Sequence, residues 1–143
     1  MNGPLPILQF DPDRCTDCKI CELVCSSVKE QAFNRHLARL RIERLGPDRV
    51  AMYSCQLCAH PACVEACPWH AIELADGLHV VVIDARDCVG CGLCVAACPY
   101  HALSDWPGRR VPVVCDFCGN HPACVEACPT AALAFELPPR WLW

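Results

Sequence analysis

Short apolar runs predict a few short strands in this chain. Residues 71–74 (AIEL) and 78–84 (LHVVVID) are two strand-like runs joined through Asp76 and Gly77. Two such runs separated by turn residues are typical of a β-hairpin. No apolar run approaches the roughly 20 residues that a bilayer-spanning helix needs, so we expect no membrane span.

A third candidate strand covers residues 37–45 (LARLRIERL), where charged and apolar side chains alternate. This period of two predicts a half-buried strand, with Arg39 and Arg41 on its outer, basic face. The face is a candidate docking surface for a partner protein, although most such charged runs are only solvated surface.

Several segments of the chain repeat. The nine residues HPACVEACP occur at 60–68 and again at 121–129. FDPDRC, ending at Cys15, resembles IDARDC, ending at Cys88, and CPTAALAF, from Cys128, resembles CPWHAIEL, from Cys67. The repeats predict a strand leading into the first and third cysteine groups and a strand following the second and fourth.

Cysteine dominates the composition, with 16 in 143 residues. Such a density is typical of a secreted disulfide scaffold or of a metal-loaded protein. The amino terminus has no basic segment, apolar segment or cleavage site of a signal peptide, so we expect a cytoplasmic protein. Sixteen thiols would not persist as disulfides in a reducing cytoplasm, and metal ligation is the leading interpretation.

The cysteines fall into four groups of four, with none left over: Cys15, Cys18, Cys21, Cys25; Cys55, Cys58, Cys63, Cys67; Cys88, Cys91, Cys94, Cys98; Cys115, Cys118, Cys124, Cys128. The first and third groups are spaced CxxCxxCxxxC, which is the bacterial ferredoxin run for a [4Fe–4S] cluster. The second and fourth groups keep the outer spacings and widen the middle gap. The pattern predicts four [4Fe–4S] clusters.

The fourth cysteine of each group has a separate role in this interpretation. Three thiolates on one tight loop reach three irons of a cluster, whereas the fourth lies on the following helical turn and ligates the other cluster of a two-cluster ferredoxin. Proline follows it at Pro68, Pro99 and Pro129 and ends the helix, but Cys25 is followed by Ser26.

Zinc is the competing metal, because CxxC pairs also build tetrahedral zinc sites. A zinc ribbon does not require a third cysteine at the same spacing, followed by a CxxxCP segment. A colourless, zinc-stabilised interaction module is therefore a remote alternative. A mixed protein, with three [4Fe–4S] clusters and one zinc or [3Fe–4S] site, stays open.

The predicted hairpin lies between the second and third groups, so these groups form one complete two-cluster module. The outer groups then pair with each other, with their own leading and closing strands. We expect an α+β fold of two nested bacterial dicluster ferredoxin-like lobes, small and loop-rich, organised around the clusters. Residues 1–49 and 106–143 form the outer lobe, and residues 50–105 form the inserted inner lobe. A tandem pairing, first with second and third with fourth, is the alternative.

On the nested interpretation each cluster takes three ligands from one group and the fourth from the partner group. The predicted sets are Cys15, Cys18, Cys21 with Cys128; Cys115, Cys118, Cys124 with Cys25; Cys55, Cys58, Cys63 with Cys98; and Cys88, Cys91, Cys94 with Cys67.

The four motifs resemble the four-cluster, ferredoxin-type electron-transfer subunits of multi-subunit oxidoreductases. That family includes the beta subunits of formate dehydrogenases and of dimethyl sulfoxide reductase-like molybdoenzymes. It also includes iron–sulfur partners of hydrogenases, carbon monoxide dehydrogenases and tungsten aldehyde oxidoreductases. The resemblance covers about residues 8–135 and implies the nested pairing. The short chain favours a compact cytoplasmic partner such as that of the tungsten aldehyde oxidoreductases.

The expected function is electron transfer without catalysis, since the chain has no GxGxxG, P-loop or HExxH motif. We expect it to connect a catalytic subunit, with tungsten- or molybdenum-pterin, to a second redox partner such as a ferredoxin or a flavin subunit. A free-standing polyferredoxin is the alternative. Clusters of about −2 each would take the formal net charge of −4 to about −12, which argues against nucleic acid.

Two further features have only secondary interpretations. His60 and His121 occupy matching places in the repeat, but HP in a tight loop is usually a partly exposed turn rather than a ligand. Residues 138–143, at the end of ELPPRWLW, are either a partner contact or a segment that packs back on the outer lobe.

Overall fold

The computed structural model describes residues 5–75 and 80–137. It is an α+β chain of short elements in three two-stranded antiparallel sheets. In order these are β1 (Ile7–Phe10), α1 (Ile20–Glu30), a 3-10 turn (Arg35–Leu37), β2 (Arg41–Gly46), β3 (Arg49–Tyr53), α2 (Ala62–Glu65), β4 (Ile72–Ala75), β5 (Val80–Ile83), α3 (Leu93–Ala97), a 3-10 turn (Phe117–Asn120), α4 (Ala123–Ala127) and β6 (Leu133–Glu136).

Strand β1 pairs with β6 and joins opposite ends of the described chain. The register places Leu8 opposite Phe135 and Phe10 opposite Leu133. Leu8 and Leu133 are buried, so the pair has one face in the core. The predicted leading and closing strands are therefore confirmed, and their pairing brings the first and fourth cysteine groups together.

The β4–β5 hairpin is the counterpart of this pair between the second and third groups. The two strands predicted from the apolar runs pair antiparallel, with Leu74 opposite Val81. The predicted turn residues Asp76 and Gly77 lie outside the described residues. The two sheets end with equivalent backbone hydrogen bonds. The Asp11 amide donates to the Ala132 carbonyl at 2.8 Å, and the Asp84 amide donates to the Ala71 carbonyl at 2.7 Å.

The helices follow the same pairing. Helix α1 packs against α4, and α2 packs against α3. Helix α1 has 11 residues, whereas the other three have 4 or 5. It continues past Cys25 because Ser26 replaces the proline found at the other sites. Ser26 is fully buried, and its hydroxyl donates to the Leu23 carbonyl at 2.9 Å and accepts from the Asn34 amide at 3.2 Å.

The strand predicted over residues 37–45 is shorter than expected. It begins only at Arg41, because Leu37 belongs to a 3-10 turn whose His36 amide donates to the Asn34 side chain at 3.1 Å. Between this turn and β2, buried and more exposed residues still alternate, because Ala38 and Leu40 are buried without being in a strand. The strand β2 pairs with β3, which the sequence interpretation missed.

The core is small and is built around thiols. Its buried apolar residues include Leu8, Leu40 and Phe117, together with seven cysteines: Cys21, Cys25, Cys55, Cys63, Cys98, Cys115 and Cys124. None of the helices in the described ranges has the length and hydropathy to traverse a bilayer.

Candidate metal centres

The first cavity, the Cys15 site, combines two distant motifs. Three of its cysteines come from the loop before α1 and the start of that helix, and the fourth follows α4: Cys15, Cys18, Cys21 and Cys128. The empty volume is about 340 Å³. Phe10 and Leu133, paired between β1 and β6, form part of the wall. The strand pairing thus holds the two motifs against each other.

The Cys115 site is the neighbouring cavity, with an empty volume of about 300 Å³. It is lined by Cys115, Cys118 and Cys124 from the fourth motif and by Cys25 from α1. Cys25 points here because α1 lies against α4. Three of the four thiols, those of Cys25, Cys115 and Cys124, are buried.

The Cys88 site repeats this arrangement between the second and third motifs. Its cavity, of about 350 Å³, is lined by Cys88, Cys91, Cys94 and Cys67. Ile72 and Ile83, a facing pair of β4 and β5, form part of its wall.

The remaining thiols, Cys55, Cys58, Cys63 and Cys98, define the Cys55 site. Cys55 and Cys63, from the second motif, share the buried core with Cys98, from the third, and α2 packs against α3. Burial raises the pKa of Cys58 and of Cys63, and the neighbouring Cys98 thiol raises each further. Burial likewise raises the pKa of Cys55 to about 11, and the other three thiols add to the effect. Three cavities are thus each lined by four cysteines, and the remaining four cysteines are those of the Cys55 site.

Burial favours the neutral thiol at several other positions. It raises the pKa of Cys21 and of Cys124 to about 12. Cys128 is different: burial alone would raise its pKa, but hydrogen bonds from the backbone and hydroxyl of Thr130 hold it below the ordinary value. Since iron is bound by thiolates, loading these sites must release protons.

The backbone supports sulfur ligation to iron. Backbone amides donate to Cys67 from Ala71 at 3.3 Å and to Cys98 from Ala102 at 3.4 Å. The preceding residues, His70 and His101, are left-handed, with φ of 51° and 50°. This conformation turns the next amide toward the sulfur. Amides aimed at cluster sulfurs are a feature of iron–sulfur sites, so the local geometry fits the group.

The same donation occurs in the outer lobe. The Arg39 amide donates to Cys25 at 3.3 Å, and the Asp17 and Phe117 amides donate to Cys15 and Cys115 at 3.4 Å. A zinc ion holds its ligands at about 2.0–2.3 Å, so the thiols of a zinc site close around a single small ion. Among the described residues, no group of three or more Cys, His, Asp or Glu side chains is arranged to hold a single metal ion, so the thiols favour a larger group.

Arginine 39 is part of the protein interior rather than of an outer face. Its guanidinium lies 3.6 Å from Glu30 and 3.8 Å from Asp116, and its side chain is only 20% exposed. Arg41 donates to the His101 carbonyl at 2.6 Å and lies over the Tyr53 ring, with 5.6 Å from guanidinium to centroid. Arg39 is therefore not on a solvated outer face as predicted, whereas docking of a partner at these arginines stays a prediction.

The candidate histidines are exposed. His60 and His121 lie on the surface beside their loops, as do His36, His70 and His101, whereas His79 lies outside the described residues. The residues 138–143 of the tail also lie outside them, so both interpretations of that segment stay predictions.

The Cys115 site has a cationic lining. Lys29 lies 2.7 Å from Asp116, and both line the cavity with Arg39. Burial alone would raise the pKa of Asp116, but hydrogen bonds from Lys29 and from the Cys118 amide keep it below the ordinary value. Two cations and one anion therefore face the space between the thiols, and a positive environment favours the reduced state of a cluster.

We expect Lys29→Gln to lower the reduction potential of the cluster at the Cys115 site by an amount on the order of 50 mV, about 1 kcal/mol for one electron. An EPR-monitored redox titration measures the shift. The matched control is Lys29→Gln with Asp116→Asn, which removes one charge of each sign and should restore most of the potential. An equal shift in both variants would contradict the electrostatic explanation.

Comparison with protein families supports the cysteine pattern. A model described as 4Fe-4S dicluster domain matches residues 7–68 and again 80–129, and a second model of the same description matches residues 54–102. The last match covers the second and third cysteine groups as one unit, whereas the first two cover groups one with two and three with four, so the family matches fit both the nested and the tandem order.

Curated relatives cover most of the chain. The polyferredoxin-like subunit of aliphatic sulfonate oxidoreductase from Pyrococcus furiosus is 36% identical over 84% of this chain and 69% of its own length. A subunit of the anaerobic dimethyl sulfoxide reductase of Haemophilus influenzae is 34% identical over 88% of this chain and 71% of its own length.

A solved structure has the same fold. One polypeptide of the active site complex BamBC of benzoyl coenzyme A reductase, in complex with benzoyl-CoA, superposes with a TM-score of 0.54 at 24% identity. The match covers 93% of this chain and 80% of that polypeptide.

Proposed function

Because this chain belongs to the 4Fe-4S dicluster family and is an iron–sulfur electron-transfer subunit of oxidoreductase complexes, we propose that it relays electrons through four [4Fe–4S] clusters from a catalytic subunit to a second redox partner. The observation that carries the proposal is the lining of three cavities, each by four cysteines drawn from two distant motifs. The subunit itself is not catalytic.

The proposed ligands are the four sets predicted from the sequence. The Cys15, Cys115 and Cys88 cavities support three sets, and the fourth is supported by the packing of α2 against α3, with Cys55, Cys63 and Cys98 in one buried core. The proposed lobes are residues 1–49 with 106–143 and residues 50–105. The β1–β6 and β4–β5 pairings support this nesting over a tandem order.

When bound, the clusters supply reversible one-electron chemistry. The chain holds them with thiolates, directs amides such as those of Ala71 and Ala102 at sulfur, and excludes water from the Cys115 site with Leu40 and Phe117. Stabilising the extra negative charge of the reduced state is therefore the electrostatic task of these residues.

The proposed catalytic partner carries a tungsten- or molybdenum-pterin, and the second partner is a ferredoxin or a flavin subunit. The relation to the subunits of dimethyl sulfoxide reductase and of sulfonate oxidoreductase supports a partner enzyme over a free-standing polyferredoxin. A cytoplasmic location belongs to the proposal, because sixteen thiols stay reduced in that compartment.

Anaerobic metal analysis tests the cofactor content. We expect about sixteen iron and about sixteen acid-labile sulfide per chain, four of each per cluster, and a brown absorption that dithionite bleaches. Zinc in place of iron, or sulfide well below this number, would contradict the four-cluster relay. The complex isolated from the native source should in addition be reduced by the substrate of its catalytic subunit.

A further inference from the structure

The Cys88 site differs from the other three in the exposure of its ligands. Cys91 is exposed, and Cys67, Cys88 and Cys94 are half-buried. At the Cys15, Cys55 and Cys115 sites at least one thiol is buried. A cluster at the Cys88 site would therefore be the one nearest to solvent by this measure.

The rim of this cavity is apolar. Trp69, Val89 and Leu93 all line it, and each remains 47–50% exposed. Among the described residues, no charged side chain contributes to the lining. By contrast, Asp17 and Lys19 line the Cys15 cavity. Large exposed apolar side chains grouped in one place are typical of an interaction surface.

The chemistry of the rim identifies the type of interface. Long-lived subunit interfaces are apolar and depleted of charge at their centres, with polar residues around them. Trp69, Val89 and Leu93 fit such a centre, and the exposed Arg110, whose guanidinium donates to the Ala85 and Cys88 carbonyls, provides a polar edge beside it. Association of transient carriers is instead steered by charge and weakened by salt.

The second site with an exposed cysteine has the charged surface that is typical of transient association. Cys18, at the Cys15 site, is exposed next to Asp17, which pairs with Lys19 at 2.7 Å and with Arg44 at 3.3 Å. The two exposed thiols thus lie in different lobes and in surfaces of different polarity. A soluble carrier fits the charged surface better than the apolar one.

We propose that the surface formed by Trp69, Val89 and Leu93 around Cys91, named here the Cys91 face, docks the catalytic subunit of the complex in a long-lived, salt-resistant interface. This inference rests on the proposed function and assigns the Cys88 site as the cluster that exchanges electrons with that subunit. Electron exchange requires the redox centres to lie close together, and the partly exposed ligands of this site allow that approach.

The experiment uses the complex purified anaerobically from the native source through a tag on this chain. In the Val89→Glu/Leu93→Glu variant, reconstituted with iron and sulfide and compared with the wild type at equal iron content, we expect at least tenfold weaker binding of the redox-active subunit. The matched control is Val28→Glu/Leu45→Glu, which changes the same residue types at similar exposure, 54% and 49%, outside this cavity. The control should keep the subunit bound, in high salt as well.

A second measurement does not depend on a variant. Hydroxyl-radical footprinting should show Trp69 protected in the wild-type complex and reactive in the separated chain. The proposal is overturned if Trp69 stays reactive in the complex, if the variant retains the subunit, or if the variant only dissociates a dimer of this chain. A different result would contradict the proposed function itself: the bound subunit would contain no redox centre that reduces the clusters.

Discussion

In the Cys128→Ser variant, the cluster of the Cys15 site is expected to be lost while the Cys115 site, to whose motif Cys128 belongs, keeps its cluster. The reason is the position of the thiol, which lines the Cys15 cavity after α4 has ended at Ala127. About a quarter of the iron should be lost, since one of four clusters is affected. EPR spectra of the reduced protein identify which signal disappears.

Two other substitutions provide the comparison. Cys18→Ser removes a thiol of the Cys15 cavity, and Cys118→Ser removes one of the Cys115 cavity. Cys128→Ser should reproduce the spectral change of Cys18→Ser. A spectrum matching that of Cys118→Ser instead would show that each motif ligates its own cluster, and the proposed cross-ligation would be wrong.

Removal of all clusters, by oxidation in the presence of a chelator, should abolish the cooperative folded state. The isolated elements are too short to persist: three of the helices have 4 or 5 residues, and the sheets have two strands each. Helices below about 12 residues and isolated hairpins are marginal in water. Without clusters, the seven buried cysteines of the core would also lose the group that they are expected to ligate.

Circular dichroism during heating measures this effect. The loaded protein should melt in one cooperative transition, and the cluster-free chain should show no transition and little regular secondary structure. Reconstitution with iron and sulfide under reducing conditions should restore the transition. A cluster-free chain that melts at the temperature of the loaded protein would show that the polypeptide core is sufficient, contrary to this expectation.

The sequence was most informative where a local pattern determines the geometry. The AIEL and LHVVVID runs predicted β4 and β5, and the echo between residues 10–15 and 83–88 predicted β1 from its counterpart. Fixed cysteine spacing predicted the grouping because three ligands of one cluster must lie on one short loop. The four-residue strands gain their stability from these pairings, so their existence was easier to predict than their bounds.

Arg39 illustrates what local patterns miss. A period of two placed it on a solvated face, but its ion pair with Asp116 joins positions 77 apart in sequence. Strand β3 was missed for another reason: it pairs with the adjacent β2 across a tight turn, and since none of its residues is buried, no alternation of buried and exposed positions marks it. Contacts between distant segments override propensity in segments this short.

The pairing of β1 with β6 also has a consequence for biosynthesis. Ribosomes deliver the chain from the amino terminus, and a domain can fold once its segments have emerged. With the proposed ligand sets, both inner sites would have all their thiols after Cys98, whereas the outer sites would wait for Cys124 and Cys128, and the β1–β6 sheet waits for Leu133–Glu136. The proposed nesting would therefore make the inner lobe the first that can mature on a nascent chain, and the segment synthesised earliest would wait longest for its partner.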